Sequence, residues 1–322
     1  MENNTVLVLA DPTEPVLAML ESLPDTTIVA AGSSLEAFER TAAEASVIFS
    51  WSISGSLLEQ VFAMAPRVRW IHSRSAGLDG VLFPALVESP VPLTNSRGVF
   101  SESLGEFVVG AAIFFAKDFR RMVHSQEAGV WDQFDVQPVA GATMGIVGYG
   151  HIGNAIARRA RALDMRVLAL RKRPDQSAND PLVEEVFPPE RMLEMLARCD
   201  YIVASAPLTA ETRGIIGESE LRAMKKTAVV MNVGRGPVID ERALVRALEE
   251  GWIQGAALDV FDTEPLPDGH PFYRLKNVLL SPHCADHTPD WLAEAMRFFL
   301  LQFERFHKGE PLLNIVNKAG GY

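Results

Sequence analysis

The sequence predicts an α/β protein of two units, each a parallel sheet with helices on both faces. Three observations predict it. Short apolar runs alternate with stretches of helical period along nearly the whole chain, the rhythm of βαβ units. The rhythm halts over residues 125–142, "SQEAGVWDQFDVQPVAGA", and restarts at Thr143. A length of 322 residues also suits about two domains.

The elements follow in order. In the first unit "TVLVLA" (5–10), "TTIVAA" (26–31), "ASVIFSW" (45–51), "RVRWIHS" (67–73) and "VPLTN" (91–95) read as strands. Helices are expected near 14–22, 35–44 and 55–64. A long helix is expected over 101–122, because Ser103 and Glu106 have capping-box spacing ahead of "FVVGAAIFFA". In the second unit the strands are "TMGIVG" (143–148), "RVLAL" (166–170), "DYIVASA" (200–206), "TAVVMNV" (227–233), "GAALDV" (255–260) and "NVLLSP" (277–282). Helices are expected near 151–163, 188–197, 219–224, 240–250 and 289–307, the last returning the chain to the first unit.

Composition narrows the function. Hydrophobic residues make up 48% and charged residues 22%, ordinary for a globular chain. With 30 Lys+Arg against 41 Asp+Glu, a nucleic-acid partner bound through its phosphates is not expected. Two cysteines, Cys199 and Cys284, suggest neither a disulfide framework nor a cysteine metal site, and fit a reducing cytoplasm. The acidic start lacks the pattern of a signal peptide. No run approaches the roughly 20 apolar residues that cross a bilayer.

After the strand "MGIVG" stands Gly148-Tyr-Gly150-His151-Ile152-Gly153, a GxGxxG match. Gly148 would permit the tight turn, Gly150 close approach to a pyrophosphate, and Gly153 packing of helix on strand. The helix N-terminus would then face the anion. The motif alone is weak, but a strand precedes it and a helix with apolar Ile152, Ala155, Ile156, Ala160 and Leu163 follows. In such a unit an acid usually ends the second strand, about 20 positions on, and binds the adenosine ribose. Here that place holds Arg171, Lys172 and Arg173, with no carboxylate between Asp164 and Asp175. Guanidinium groups without the acid suit a 2′-phosphate, hence NADP(H) in preference to NAD(H), which stays possible. A solvated basic loop is the alternative.

Three late segments end strands with reactive side chains: "NVGRGPVID" with Arg235, "ALDVFDTEP" with Asp259 and Glu264, and "SPHCAD" with His283. Such positions gather where ligands bind parallel sheets. With their flanks and order, these residues resemble the D-isomer-specific 2-hydroxyacid dehydrogenase family, which includes glyoxylate/hydroxypyruvate reductases. The resemblance implies a doubly wound Rossmann dinucleotide-binding domain, 101–285, inserted into a flavodoxin-like substrate domain, 1–100 plus 286–322. It implies that Arg235, Glu264 and His283 are catalytic, and that an interdomain cleft holds cofactor and substrate. It implies that the Ala76 and Gly77 amides in "RSAGLDGV" (74–81) hold the substrate carboxylate with Arg235 and His283. It places Pro207, Thr212, Val233, Asp259 and His283 against the cofactor, beside the cradle and the basic cluster, with no metal. It also implies a homodimer built on the helix after residue 101 and the loop behind it, where Trp131 would approach the partner.

The chemistry agrees with that implication. A 2-oxo acid presents a carboxylate and a ketone, and a guanidinium fork matches both oxygens. An imidazole, titrating near neutrality, can protonate the developing alkoxide, and a neighbouring carboxylate favours its charged form. The expected activity is NADPH-favouring reduction of small 2-oxo acids, glyoxylate and hydroxypyruvate first. An NAD-linked D-2-hydroxyacid dehydrogenase and a dinucleotide-sensing, corepressor-like binding protein are the alternatives. Asp286 stands where the family commonly has glycine, Gly105 where alanine is usual, and His287 and Trp291 follow the catalytic strand. Cys284 is expected to be a small packing residue.

Overall fold

The computed structural model describes residues 4–51, 55–177 and 179–321; part of the acidic start lies outside them. The chain divides into two compact units, Met1–Phe100 with Thr288–Tyr322, and Ser101–His287.

In the first unit five strands, β1 (Thr5–Leu9), β2 (Ile28–Gly32), β3 (Val47–Ser50), β4 (Trp70–Ser73) and β5 (Leu93–Asn95), form one parallel sheet. Their order is β2-β1-β3-β4-β5, the flavodoxin-like doubly wound arrangement. β1, β3 and β4 are buried along their whole length, which is why they read as unbroken apolar runs rather than alternating ones. The helix Trp291–Lys308 closes one face, stacking Phe299 on Phe49 at 3.9 Å and on Trp70 at 5.6 Å.

Two expected helices of this unit are instead short 3₁₀ turns, at Pro15–Ser22 and at Leu35–Phe38 with Ala42–Glu44. Leu23, held extended before Pro24, stops the first. In the second, Thr41 Oγ1 donates to the Phe38 carbonyl, a local bond that competes with helix propagation.

The second unit is a seven-stranded parallel sheet: β6 (Thr143–Val147), β7 (Arg166–Leu170), β8 (Glu185–Phe187), β9 (Tyr201–Ala204), β10 (Val229–Asn232), β11 (Gly255–Leu258) and β12 (Val278–Leu280). The order β12-β11-β10-β9-β6-β7-β8 is the Rossmann order with one strand added at the far edge. Winding reverses between β6 and β9, which makes their carboxyl ends the switch point. β8 has only three residues, too few to show a period in the sequence.

The expected long helix is two helices, Ser101–Ala116 and Phe119–Glu127. Asp118 breaks it, with φ 49° and its carboxylate accepting from the Arg121 N–H as the second helix's cap. Ser103 is not a cap; it lies inside the first turn and donates to the Ala285 carbonyl at 2.7 Å. Gly105 has a packing reason. A Cβ there would stand 3.1 Å from the Ala155 backbone, on the helix that follows the glycine motif. Among the described residues no helix is long and apolar enough to cross a membrane.

Candidate active site

The glycine motif forms an open cradle at the end of β6. Gly148 has φ +94°, and a Cβ on it would stand 2.5 Å from the Ala206 backbone, so only glycine fits this turn. A Cβ on Gly153 would meet the Gly148 carbonyl oxygen at 2.9 Å, where helix presses on strand. A Cβ on Gly150 would meet nothing within 4 Å. That space lies at the N-terminus of the helix His151–Ala162, whose first-turn amides and positive dipole end face it. A pyrophosphate fits such a cradle. His151 is exposed at the helix start, and Ile152 packs partly on the core beneath. Tyr149 is buried and donates its hydroxyl to Asp180 at 2.9 Å; burial, then that carboxylate, raises its phenol above the usual range.

The basic cluster follows β7 directly. The Arg171 guanidinium donates to Ser177 Oγ at 2.5 Å and to Gln176 Oε1 at 2.7 Å. Lys172 Nζ meets both oxygens of Glu211, at 2.7 and 2.6 Å. Arg173 is exposed beside them. Glu211 is a residue that sequence reasoning missed; it reaches the cluster from the turn after β9, and no local motif signals that approach. The same turn holds Pro207 and Thr212, closed by Thr212 Oγ1 donating to the Pro207 carbonyl at 2.6 Å. Val233 is buried at the end of β10, its N–H donating to the Ala204 carbonyl at 3.1 Å.

Three neighbouring strands carry the reactive side chains. His283 follows β12, and its Nδ1 lies 2.6 Å from Glu264 Oε2. The other Glu264 oxygen accepts from the Phe261 N–H at 2.9 Å, so the loop after β11 orients the carboxylate. Arg235 follows β10. The adjoining Gly236 is pressed so hard on this loop that a Cβ would stand 2.0 Å from the Phe261 carbonyl carbon. The Arg235 turn and the Glu264 loop are therefore locked backbone to backbone, and Asn232 Nδ2 donating to the Arg235 carbonyl at 3.0 Å tightens the turn.

Asp259 has a further part that its sequence context does not reveal. It is buried, and Oδ1 accepts from Ser281 Oγ at 2.6 Å, Cys284 N at 2.9 Å and Ala285 N at 3.0 Å. It thereby ties down the loop in which His283 sits at φ 52°. Cys284 is exposed rather than packed, with Sγ 3.5 Å from Ser281 Oγ. Burial keeps the Asp286 carboxyl above its usual range, with His287 Nε2 3.8 Å away.

In the first unit the loop after β4 carries Ala76 and Gly77, both half-buried. The Ala76 carbonyl accepts from Asn95 Nδ2 at 2.6 Å, so buried Asn95 fixes the loop from beneath. Arg74 lies over the rings of Trp51 and Trp291, at 4.9 and 5.4 Å from their centroids.

A pyrophosphate cradle at a Rossmann switch point, with an imidazole–carboxylate pair at the ends of neighbouring strands, defines a dinucleotide-dependent oxidoreductase. The sequence matches the description "D-isomer specific 2-hydroxyacid dehydrogenase, NAD binding domain" over residues 109–285, and the chain belongs to that family. It is similar to the glyoxylate reductase of Korarchaeum cryptofilum, 36% identical over 274 residues, covering 80% of this chain and 79% of that one. A structure of a family member from Xanthobacter autotrophicus Py2, in complex with NADPH and MES, superposes with TM-score 0.84 at 27% identity, covering 100% of both chains. The NADPH-dependent glyoxylate/hydroxypyruvate reductase of Sinorhizobium meliloti, solved with NADP and sulfate, gives 0.83 at 25% identity, covering 99% of this chain and 100% of that one.

Proposed function

We propose that the protein reduces small 2-oxo acids, glyoxylate and hydroxypyruvate foremost, to D-2-hydroxy acids, with NADPH the favoured reductant. The observation that carries the reading is the His283–Glu264 pair at 2.6 Å, at the carboxyl ends of the sheet that bears the cradle. The names of the Korarchaeum and Sinorhizobium proteins support the substrate class, and the basic cluster without a strand-end acid supports the cofactor.

The bound nicotinamide supplies the hydride. Arg235 binds the substrate carboxylate and ketone oxygen through its donor fork, holding both in one plane. Glu264 accepts a hydrogen bond from His283 Nδ1–H, so the imidazole keeps that proton and Nε2–H is the one given to substrate. His283 gives that proton to the ketone oxygen as negative charge develops there, and takes it back in the oxidative direction. The Ala76 and Gly77 amides take the substrate carboxylate as fixed donors. Asp259 keeps the His283 loop in place. Gly148, Gly150, His151, Ile152 and Gly153 seat the pyrophosphate, Pro207, Thr212 and Val233 border the cofactor, and Arg171, Lys172 and Arg173 receive the 2′-phosphate.

The same reading includes a homodimer in the cytoplasm. The helix Phe119–Glu127 exposes Phe119, Met122 and Val123 on one side, and the stretch behind it exposes Val130, Val136 and Trp131, the last 91% exposed. A second copy is the proposed cover.

Steady-state rates with glyoxylate, hydroxypyruvate, pyruvate and a bulkier 2-oxo acid, each with NADPH and NADH, test the reading. His283→Ala should lower turnover by about two to four orders of magnitude. No turnover of any pair, or near-normal turnover in the variant, overturns it.

A further inference from the structure

We propose that Glu211 sets how strongly the enzyme prefers NADPH, by competing with the 2′-phosphate for Lys172. The inference rests on the proposed role of the basic cluster and adds a residue to which that reading gives no part.

The argument starts from placement. Lys172 follows β7 and Glu211 follows β9, and the sheet order β9-β6-β7 puts β6 between them. The cradle is the end of β6. The ion pair therefore spans the switch point, on the side where the end of β7 meets adenosine in this fold. Glu211 is not on a loose loop. The Ser205 N–H donates to the Val147 carbonyl at 2.9 Å, and Ser205 Oγ donates to the Gly148 carbonyl at 2.8 Å. Thr212 Oγ1 accepts from the Thr209 N–H at 2.8 Å and donates to the Pro207 carbonyl at 2.6 Å. The turn that carries Glu211 is thus bonded to the cradle itself, and both carboxylate oxygens meet Lys172 Nζ.

The chemistry then gives the direction. A 2′-phosphate needs cations and is repelled by a carboxylate. To use Lys172 it must displace or share Glu211. An unphosphorylated ribose has hydroxyl groups that can donate to a carboxylate, which is the part normally taken by the acid at the end of the second strand. Glu211 supplies that acid from another strand. It lowers affinity for NADPH and spares NADH. Arg171 instead donates to Ser177 and Gln176, which carry no charge.

The pair is solvent-exposed, with side chains 61% and 67% accessible, so removing it should leave the fold intact. The test is fluorescence titration of the full chain with NADPH and with NADH, in wild type, E211Q, E211K and K172Q. E211Q should tighten NADPH about three- to fivefold, the size of one exposed ion pair, and leave NADH unchanged or bound more weakly. E211K should carry the change further in the same direction. A ratio of the two dissociation constants unchanged in both Glu211 variants overturns the inference, as does equal tightening of both cofactors. If K172Q weakens NADPH while the Glu211 variants do nothing, only the part given to Glu211 fails. If wild type shows no preference and K172Q alters neither constant, the 2′-phosphate assignment of the cluster fails as well.

Discussion

Glu264→Gln removes one charge and keeps the shape of the side chain, so it isolates what the carboxylate does for His283. Two donors converge on that carboxylate. His283 Nδ1 lies 2.6 Å from Oε2, and the Phe261 N–H donates to Oε1 at 2.9 Å. An amide offers one acceptor oxygen where the carboxylate offers two, so one donor must face the NH₂ group. A hydrogen bond to a charged partner contributes about 1.5–3 kcal/mol. The two side chains are 44% and 34% exposed, so water screens and partly replaces the lost bond. Discounting by about half for that screening leaves roughly 0.75–1.5 kcal/mol. At about 1.36 kcal/mol per factor of ten, kcat for glyoxylate reduction should fall about four- to twelvefold. The fall should lie in kcat with KM for glyoxylate nearly unchanged, because Arg235 and not Glu264 is given the substrate. Stopped-flow single turnovers separate the chemical step from product release. A single-turnover rate within about twofold of wild type would show that His283 does not depend on this partner.

Other outcomes follow from the same geometry. Gly148→Ala should lower the melting temperature, since its Cβ strikes the Ala206 backbone, whereas Gly150→Ala should melt normally yet bind cofactor at least tenfold more weakly, by about 1.4 kcal/mol; thermal melts with cofactor titrations distinguish them, and equal behaviour refutes the cradle. His72 is fully buried in β4, and burial pushes its imidazole down to about 3. The unfolded chain takes up the proton first, near pH 6.5. The His72 contribution is therefore complete above that pH and is lost as pH falls from there towards about 3. His72→Gln should flatten the loss of stability between about pH 6.5 and 4.5, by no more than about 1.4 kcal/mol per pH unit; parallel curves in urea unfolding would contradict this. The proposed dimer predicts that Trp131→Glu shifts the protein towards monomer in analytical ultracentrifugation; a wild type that already sediments as a monomer, or an unchanged profile in the variant, contradicts it.

Much of the fold was legible because its signals are local. β6 and the helix after it follow from a buried strand, three glycines and a 3.6-residue period within one short stretch. That each unit is a parallel sheet covered by helices follows from strand–helix alternation; the Rossmann and flavodoxin-like strand orders do not. The break at Asp118 was not legible. Residues 101–122 keep a helical apolar pattern, and only the left-handed backbone at Asp118 ends it. Ser103 misled for a related reason: capping-box spacing says nothing of the distant Ala285 carbonyl that takes its hydroxyl. The turns at 14–22 and 35–44 carry apolar residues suited to helix, but Pro24 and the Thr41 side chain stop it from propagating.

By itself the sequence determined the chemical inventory: a phosphate-cradling glycine turn, a cationic strand end, and Arg235, Glu264 and His283 at the ends of strands. Each of these is a property of a few neighbouring residues, and so is carried by local pattern. Tertiary structure alone decided which groups meet. It joined Glu264 to His283, bound Asp259 to the histidine loop, and pressed Gly236 against Phe261. It also brought Glu211 to Lys172 across β6, as strand order dictates. Those meetings depend on which strands lie side by side and how closely their backbones approach, and a linear pattern of residue types does not specify either distance.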